Sequence, residues 1–213
     1  MPKSNNRGGK GYLWFLAALF LTEIGIVFLV APNSWVSRCF SWDRGFVYQW
    51  FGQGFEQDVL HQAASWYDAL FEKTGIKQAS YDFLINDWNN DGLQIDDRGL
   101  SAWAAERLKT TWLAISLACY RFSQIWAWLV LLLPLLFGMV VDALTQREIN
   151  KWRFFSPSAL VHYSTHMAIG ALASLLLLVP FLPLPMYAPA IPGGMVIVGA
   201  IGWVSIGNLG KRL

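Results

Sequence analysis

Polar side chains almost vanish from four stretches of the chain. They are Gly11 to Val30, about Ser123 to Val141, about Ser164 to Leu182, and about Ile191 to Leu209. Each is close to the ~20 apolar residues that cross a bilayer as a helix. Between the first and second runs the pattern changes. Val47, Phe51, Phe55, Val59, Ala63, Tyr67 and Leu70 recur at helical spacing, with Trp50 and Trp66 widening the stripe. The pattern predicts a helix capped by Asp43 that stops at Gly75, and a short one over Ser80 to Asn86 capped by Ser80. A third begins near Ser101 and has no break before the second apolar run, so it reads as one rod entering the membrane, kinked by Pro134. "PLPMYAPAIP" between the third and fourth runs cannot continue a helix.

Charge orients these elements. The N-terminal tail carries Lys3, Arg7 and Lys10 without an acid, and the far end carries Lys211 and Arg212. Residues 142–163 carry Arg147, Lys151 and Arg153 against Asp142 and Glu148, whereas residues 31–110 hold eleven acids against seven bases. The positive-inside rule then places both termini in the cytoplasm and residues 31–110 outside, in the periplasm of a Gram-negative cell. The first run resembles a signal peptide in its basic flank, but its apolar core is long and "VAPNSWVS" is a poor cleavage site, so a retained helix is expected.

The expected fold is an all-α membrane protein with four transmembrane helices and a small helical periplasmic domain between the first and second. In order these are a basic tail (1–10), a first span (11–30), the periplasmic domain (31–110), and a second span that continues out of that domain (111–141). A cytoplasmic loop (142–163), a third span (164–182), a fourth span (191–209) and a cytoplasmic tail (210–213) follow. The location is the bacterial inner membrane, multi-pass.

Composition supports this class. The 213 residues are 55% hydrophobic and 14% charged, against the roughly one-quarter charged of a soluble domain. A net charge of +2 gives no basis for direct nucleic-acid binding. Two cysteines, Cys39 and Cys119, are too few for a disulfide framework.

Candidate chemistry is sparse. Asp87, Asn89, Asp91 and Gly92 match the opening of a calcium loop, but Arg98 stands where a bidentate acid belongs. An Asn/Asp/Gly turn is the simpler reading, and a calcium ion there would only hold the loop. No other cofactor is implied. Glu23 and Arg121 fall in or beside apolar runs, where a charge costs about 2.5–3.5 kcal/mol on insertion scales. They are expected to face each other or a wet crevice, with Arg121 snorkelling to the headgroups as the alternative. His162 and His166 share a face without an evident third ligand. Small residues (Gly170 and Ser174; Gly199, Gly202 and Ser205) allow close helix approach within the chain or to a second protein, and leave room for self-association. The chain has no Gly-x-Ser-x-Gly, no phosphate-binding lysine loop and no His-Glu-x-x-His, so no enzyme activity is read from it.

One loop carries a resemblance. In "VDALTQREINKWRFFSPSALVHYSTH", Asp142, Arg147, the basic-aromatic stretch Trp152 to Phe155, Ser156 and the pair His162-Tyr163 follow a family pattern. The aromatic–histidine order is reversed, and Ala143 stands where the family carries Gly. The chain thereby resembles the membrane proteins of integrating conjugative elements. The resemblance implies a non-catalytic inner-membrane part of a type IV secretion or conjugation apparatus, scaffolding it or docking its coupling ATPase. Arg147, Lys151, Trp152, Arg153, Phe154 and His162 become the candidate partner contacts, with anionic membrane lipid as the competing occupant. A small transporter or channel, and a calcium-responsive periplasmic sensor, are the alternatives.

Overall fold

A computed structural model describes residues 18, 22, 25, 30–86, 98–152, 174 and 178–207. All regular structure among them is helical: α1 (Asn33–Tyr67), α2 (Ile76–Tyr81), α3 (Arg98–Trp152) and α4 (Ala190–Gly207). π-type turns extend α1 over Asp68–Glu72 and α2 over Asp82–Asn86, and a 3₁₀ turn covers Val179–Phe181. Two of these helices, Ala102–Asn150 and Ala190–Gly207, are long and apolar enough to cross a membrane. They coincide with the second and fourth expected runs. The first and third runs lie almost wholly outside the described residues, so four spans remain an expectation.

The chain forms two compact units, residues 1–123 with 180–186, and residues 124–179 with 187–213. In the first unit α1 starts ten residues before Asp43. Pro32, in extended conformation, offers its carbonyl to the amides of Trp35 and Val36 and so opens the helix without a side-chain cap. Asp43 is therefore an interior residue of α1. Gly52 then takes φ 86° and ψ 170°, a conformation essentially reserved for glycine. A straight helix would set Arg44 and Glu56 about 18 Å apart; the bend brings Arg44 Nε to 2.6 Å from Glu56 Oε1.

That bend also shifts the buried stripe. Val36, Cys39, Asp43 and Val47 are buried before it, and Glu56, Val59 and Ala63 after it. Trp50 and Leu70, expected on the stripe, are exposed. Gly75 ends the helical run in left-handed conformation (φ 72°), where the sequence placed the stop.

Helix α3 supplies the other half of this core. Ala31, Val36, Cys39 and Leu117 form its buried centre, flanked by Trp35, Phe40, Leu113 and Ala114. Trp112 meets the rings of Tyr67 and Phe71 edge-on and donates its indole N–H to Ser80 Oγ at 3.1 Å, which fastens α2 against α3. Ser123 Oγ donates to the Val59 carbonyl at 2.9 Å.

In the second unit the later part of α3 lies beside α4. The helix runs on to Trp152, past the expected membrane exit at Val141, because residues 142–152 contain neither Gly nor Pro. Gly199 is the point of closest approach: a Cβ there would sit 2.7 Å from Leu136 Cδ2 and 3.3 Å from Met139 Sδ. Farther along, Trp203 Nε1 donates to Asp142 Oδ2 at 2.7 Å, and Asn150 Nδ2 donates to the Gly207 carbonyl at 3.3 Å. Partners advance together along both helices, so these segments run parallel.

Candidate functional site

The sequence expects Arg121 to face Glu23 or a wet crevice, or else to snorkel. In the first unit its guanidinium is fully buried and gathers α1, α3 and the irregular segment 180–186. Nε donates to Asp43 Oδ2 at 2.7 Å. One terminal nitrogen donates to the Leu182 carbonyl at 2.5 Å and the Pro180 carbonyl at 3.4 Å, and the other donates to the Leu184 carbonyl. Asp43 in turn accepts the Met186 amide at 2.7 Å through Oδ1. Trp35 Nε1 and Cys39 Sγ both donate to the Pro183 carbonyl, at 2.7 and 3.4 Å.

The chemistry follows from the segment's sequence. Pro180, Pro183 and Pro185 have no N–H to give and prevent a helix from absorbing the carbonyls. Carbonyls that leave a helix and are buried need donors. A guanidinium supplies five N–H groups in a rigid fork, and the two indole and thiol donors cover the carbonyl it does not reach. The ion pair is thus a strap holder for backbone. Its cost appears on Asp43: burial pushes the carboxyl above its ordinary range, and the guanidinium with the Met186 amide pull it back only in part.

The sequence missed Asp43 as Arg121's partner. A signal was present: Asp43 falls at the 3–4 spacing of Val36, Cys39 and Val47, an acid on an apolar face. Enclosure at 0% exposure removes snorkelling as the account of Arg121. Glu23 lies outside the described residues, as do Asp87, Asn89 and Asp91 of the calcium reading, so the pairing with Glu23 and the calcium site stay expectations. Arg153, Phe154 and His162 also lie outside them. Lys151 and Trp152 are the last two residues of α3, and Arg147 stands half-buried one turn before them.

The second candidate region is the seam of α3 and α4. Asp142, Gln146 and Asn150 recur every four residues on α3 and face Trp203 and Gly207 of α4. Trp203 also borders two hollows. One of about 440 Å³ is lined by Pro134, Leu135, Gly138, Met139, Asp142 and Trp203. The other, of about 260 Å³, includes Gln146, Asn150, Val204 and Gly207. No group of three or more metal-ligating side chains occurs among the described residues.

Compared with known families, residues 40–208 match the model of the DtrJ-like proteins, described as "IncC plasmid conjugative DNA transfer protein DtrJ-like". No curated protein and no solved structure matches the chain.

Proposed function

This chain belongs to the DtrJ-like family of conjugative DNA transfer proteins, and on that premise we propose that it is a non-catalytic component of the inner-membrane part of a conjugation apparatus. The observation that carries the membrane placement is the bare apolar surface of α3: Leu131 and Phe137 are 63% and 67% exposed, with Leu129, Val130, Leu133, Val140 and Val141 open beside them. A water-soluble monomer rarely leaves so much contiguous apolar surface uncovered. Hydrocarbon is the solvent that suits it.

Within the apparatus the protein scaffolds other subunits, and its cytoplasmic contact is the end of α3 with the residues that follow. Arg147, Lys151 and Trp152 sit there, and Arg153, Phe154 and His162 come next in the chain. A basic, aromatic surface at the inner leaflet fits an acidic face of the coupling ATPase. The parallel run of α3 and α4 supports a multi-pass chain, since the segment between Trp152 and Ala190 has to return to the side from which α3 enters.

The test is a mating assay on a strain lacking the gene, complemented with wild type or with the double variant Arg147→Glu, Lys151→Glu. Transfer should fall at least tenfold with the double variant at equal membrane abundance, and the coupling ATPase should no longer co-purify in mild detergent. Unchanged transfer with both charges reversed would remove this surface from the function.

A further inference from the structure

The 440 Å³ hollow beside Trp203 has a shape and a charge that the docking proposal does not use. Pro134, Gly138 and Asp142 succeed one another at four-residue spacing, so they share one face of α3. Among the described residues, nothing stands within 4 Å of where a Gly138 side chain would begin. The result is a shallow channel, open along its side, that passes Leu135 and Trp203 and runs about 12 Å from Pro134 to Asp142 at 1.5 Å per residue. Its walls are apolar, and its one charge is the Asp142 carboxylate at the cytoplasmic end. Asp142 Oδ2 accepts the Trp203 indole N–H, while Oδ1 has no hydrogen bond among the described residues. Just beyond, Gln146 and Asn150 border the smaller hollow.

We propose that this channel is a binding site for one phospholipid with a primary ammonium headgroup. Its acyl chain lies along Pro134 and Gly138 against Trp203, its ammonium meets Asp142, and its phosphate and ester oxygens accept from the Gln146 amide. The inference rests on the membrane placement proposed above, which puts Asp142 at headgroup level where the apolar run ends. Charge decides between lipids: a carboxylate attracts an ammonium and repels an anionic headgroup that offers no cation.

The experiment uses the full-length protein in mild detergent, delipidated and titrated with phosphatidylethanolamine or phosphatidylglycerol, with bound lipid read by native mass spectrometry. Wild type should hold phosphatidylethanolamine about fivefold or more tightly than phosphatidylglycerol. Asp142→Asn keeps an acceptor for Trp203 but not the charge, and should equalise the two lipids. Gly138→Leu places an isobutyl group in the channel, and should lower retention of both. Equal binding of the two lipids by wild type, a preference for phosphatidylglycerol, or a preference that survives Asp142→Asn would overturn the site. So would a co-purifying protein released by Gly138→Leu while lipid retention stays the same. A carbonate wash of membranes separates this from failure of the membrane placement: release into the wash sinks the placement, whereas retention with no lipid preference sinks the site alone.

Discussion

Removing both members of the Arg121–Asp43 pair should leave the protein badly destabilised, although many buried ion pairs can be replaced by apolar residues at little cost. The difference lies in what the guanidinium holds. Asp43→Ala leaves a buried cation without its anion and the Met186 amide without its acceptor. Breaking one side of a buried pair costs about 3–5 kcal/mol. In a chain of this size, that corresponds to about 6–20 °C in melting temperature. Asp43→Asn keeps an acceptor for both donors, and its loss should be smaller, about 1–3 kcal/mol, for exchanging a charge-assisted bond with a neutral one. Asp43→Leu with Arg121→Met removes the charges together. It still orphans the carbonyls of Pro180 and Leu184 and the amide of Met186, and leaves the Leu182 carbonyl with the Leu184 amide alone. At about 1–3 kcal/mol per buried unsatisfied group, that exceeds the desolvation relieved.

Thermal unfolding of the full chain in mild detergent, followed by tryptophan fluorescence, ranks the four proteins. The expected order of stability is wild type, Asp43→Asn, Asp43→Ala, then the double variant at or below Asp43→Ala. A double variant melting within about 2 °C of wild type would refute the reasoning, because it would show that the strap's carbonyls find other donors when the arginine is gone.

Three further outcomes follow from the same packing. Because burial holds the Asp43 carboxyl above its unfolded value of about 3.9, the folded chain binds more protons between those two values, and the stability owed to this group falls as pH rises through that window; the melting temperature of wild type minus that of Asp43→Asn should decline from pH 4 upward, and a flat difference would contradict it. Burial likewise pushes the Cys39 thiol up, so in a Cys119→Ser background maleimide should leave Cys39 unmodified at pH 7 until denaturant is added; labelling within minutes of the native protein would be the contrary result. At the helix seam, Gly199→Ala forces a Cβ against Leu136 Cδ2 and should cost about 1–3 kcal/mol, most of it recovered in Gly199→Ala with Leu136→Ala; a loss that Leu136→Ala does not repair would place the strain elsewhere.

Two of the apolar runs, those of α3 and α4, and the Gly75 stop were legible in the sequence because each depends on local composition or on one residue's backbone. The continuity of α3 was legible for the same reason, since only Pro134 and Gly138 between Ser101 and Val141 oppose a helix. The bend at Gly52 was not, because "FGQGF" offers two glycines and the choice rests on where Glu56 can meet Arg44. The Asp43–Arg121 pair spans 78 residues and needs the strap at 180–186 to make sense. Helical periodicity marks Asp43 as lying on the buried face but gives no distance to Arg121.

These two regions obey one constraint. In water, an irregular segment such as 180–186 could leave its carbonyls to solvent. Here its buried carbonyls are supplied with donors by the protein instead. Trp35, Cys39 and Arg121 are those donors, and α1 carries two of them along with Asp43, the anion that keeps Arg121 neutralised. At the α3–α4 seam the same demand is met differently. Gly199 allows the two helices to touch where no polar group is available, and Trp203 and Asp142 pair where the apolar run gives out. A glycine contact inside the apolar run and a hydrogen-bonded contact at its edge are what lipid as a solvent selects, since hydrocarbon neither drives apolar faces together nor satisfies a stray donor. These contacts, with two helices long and apolar enough to cross a membrane, accord with the membrane placement proposed above.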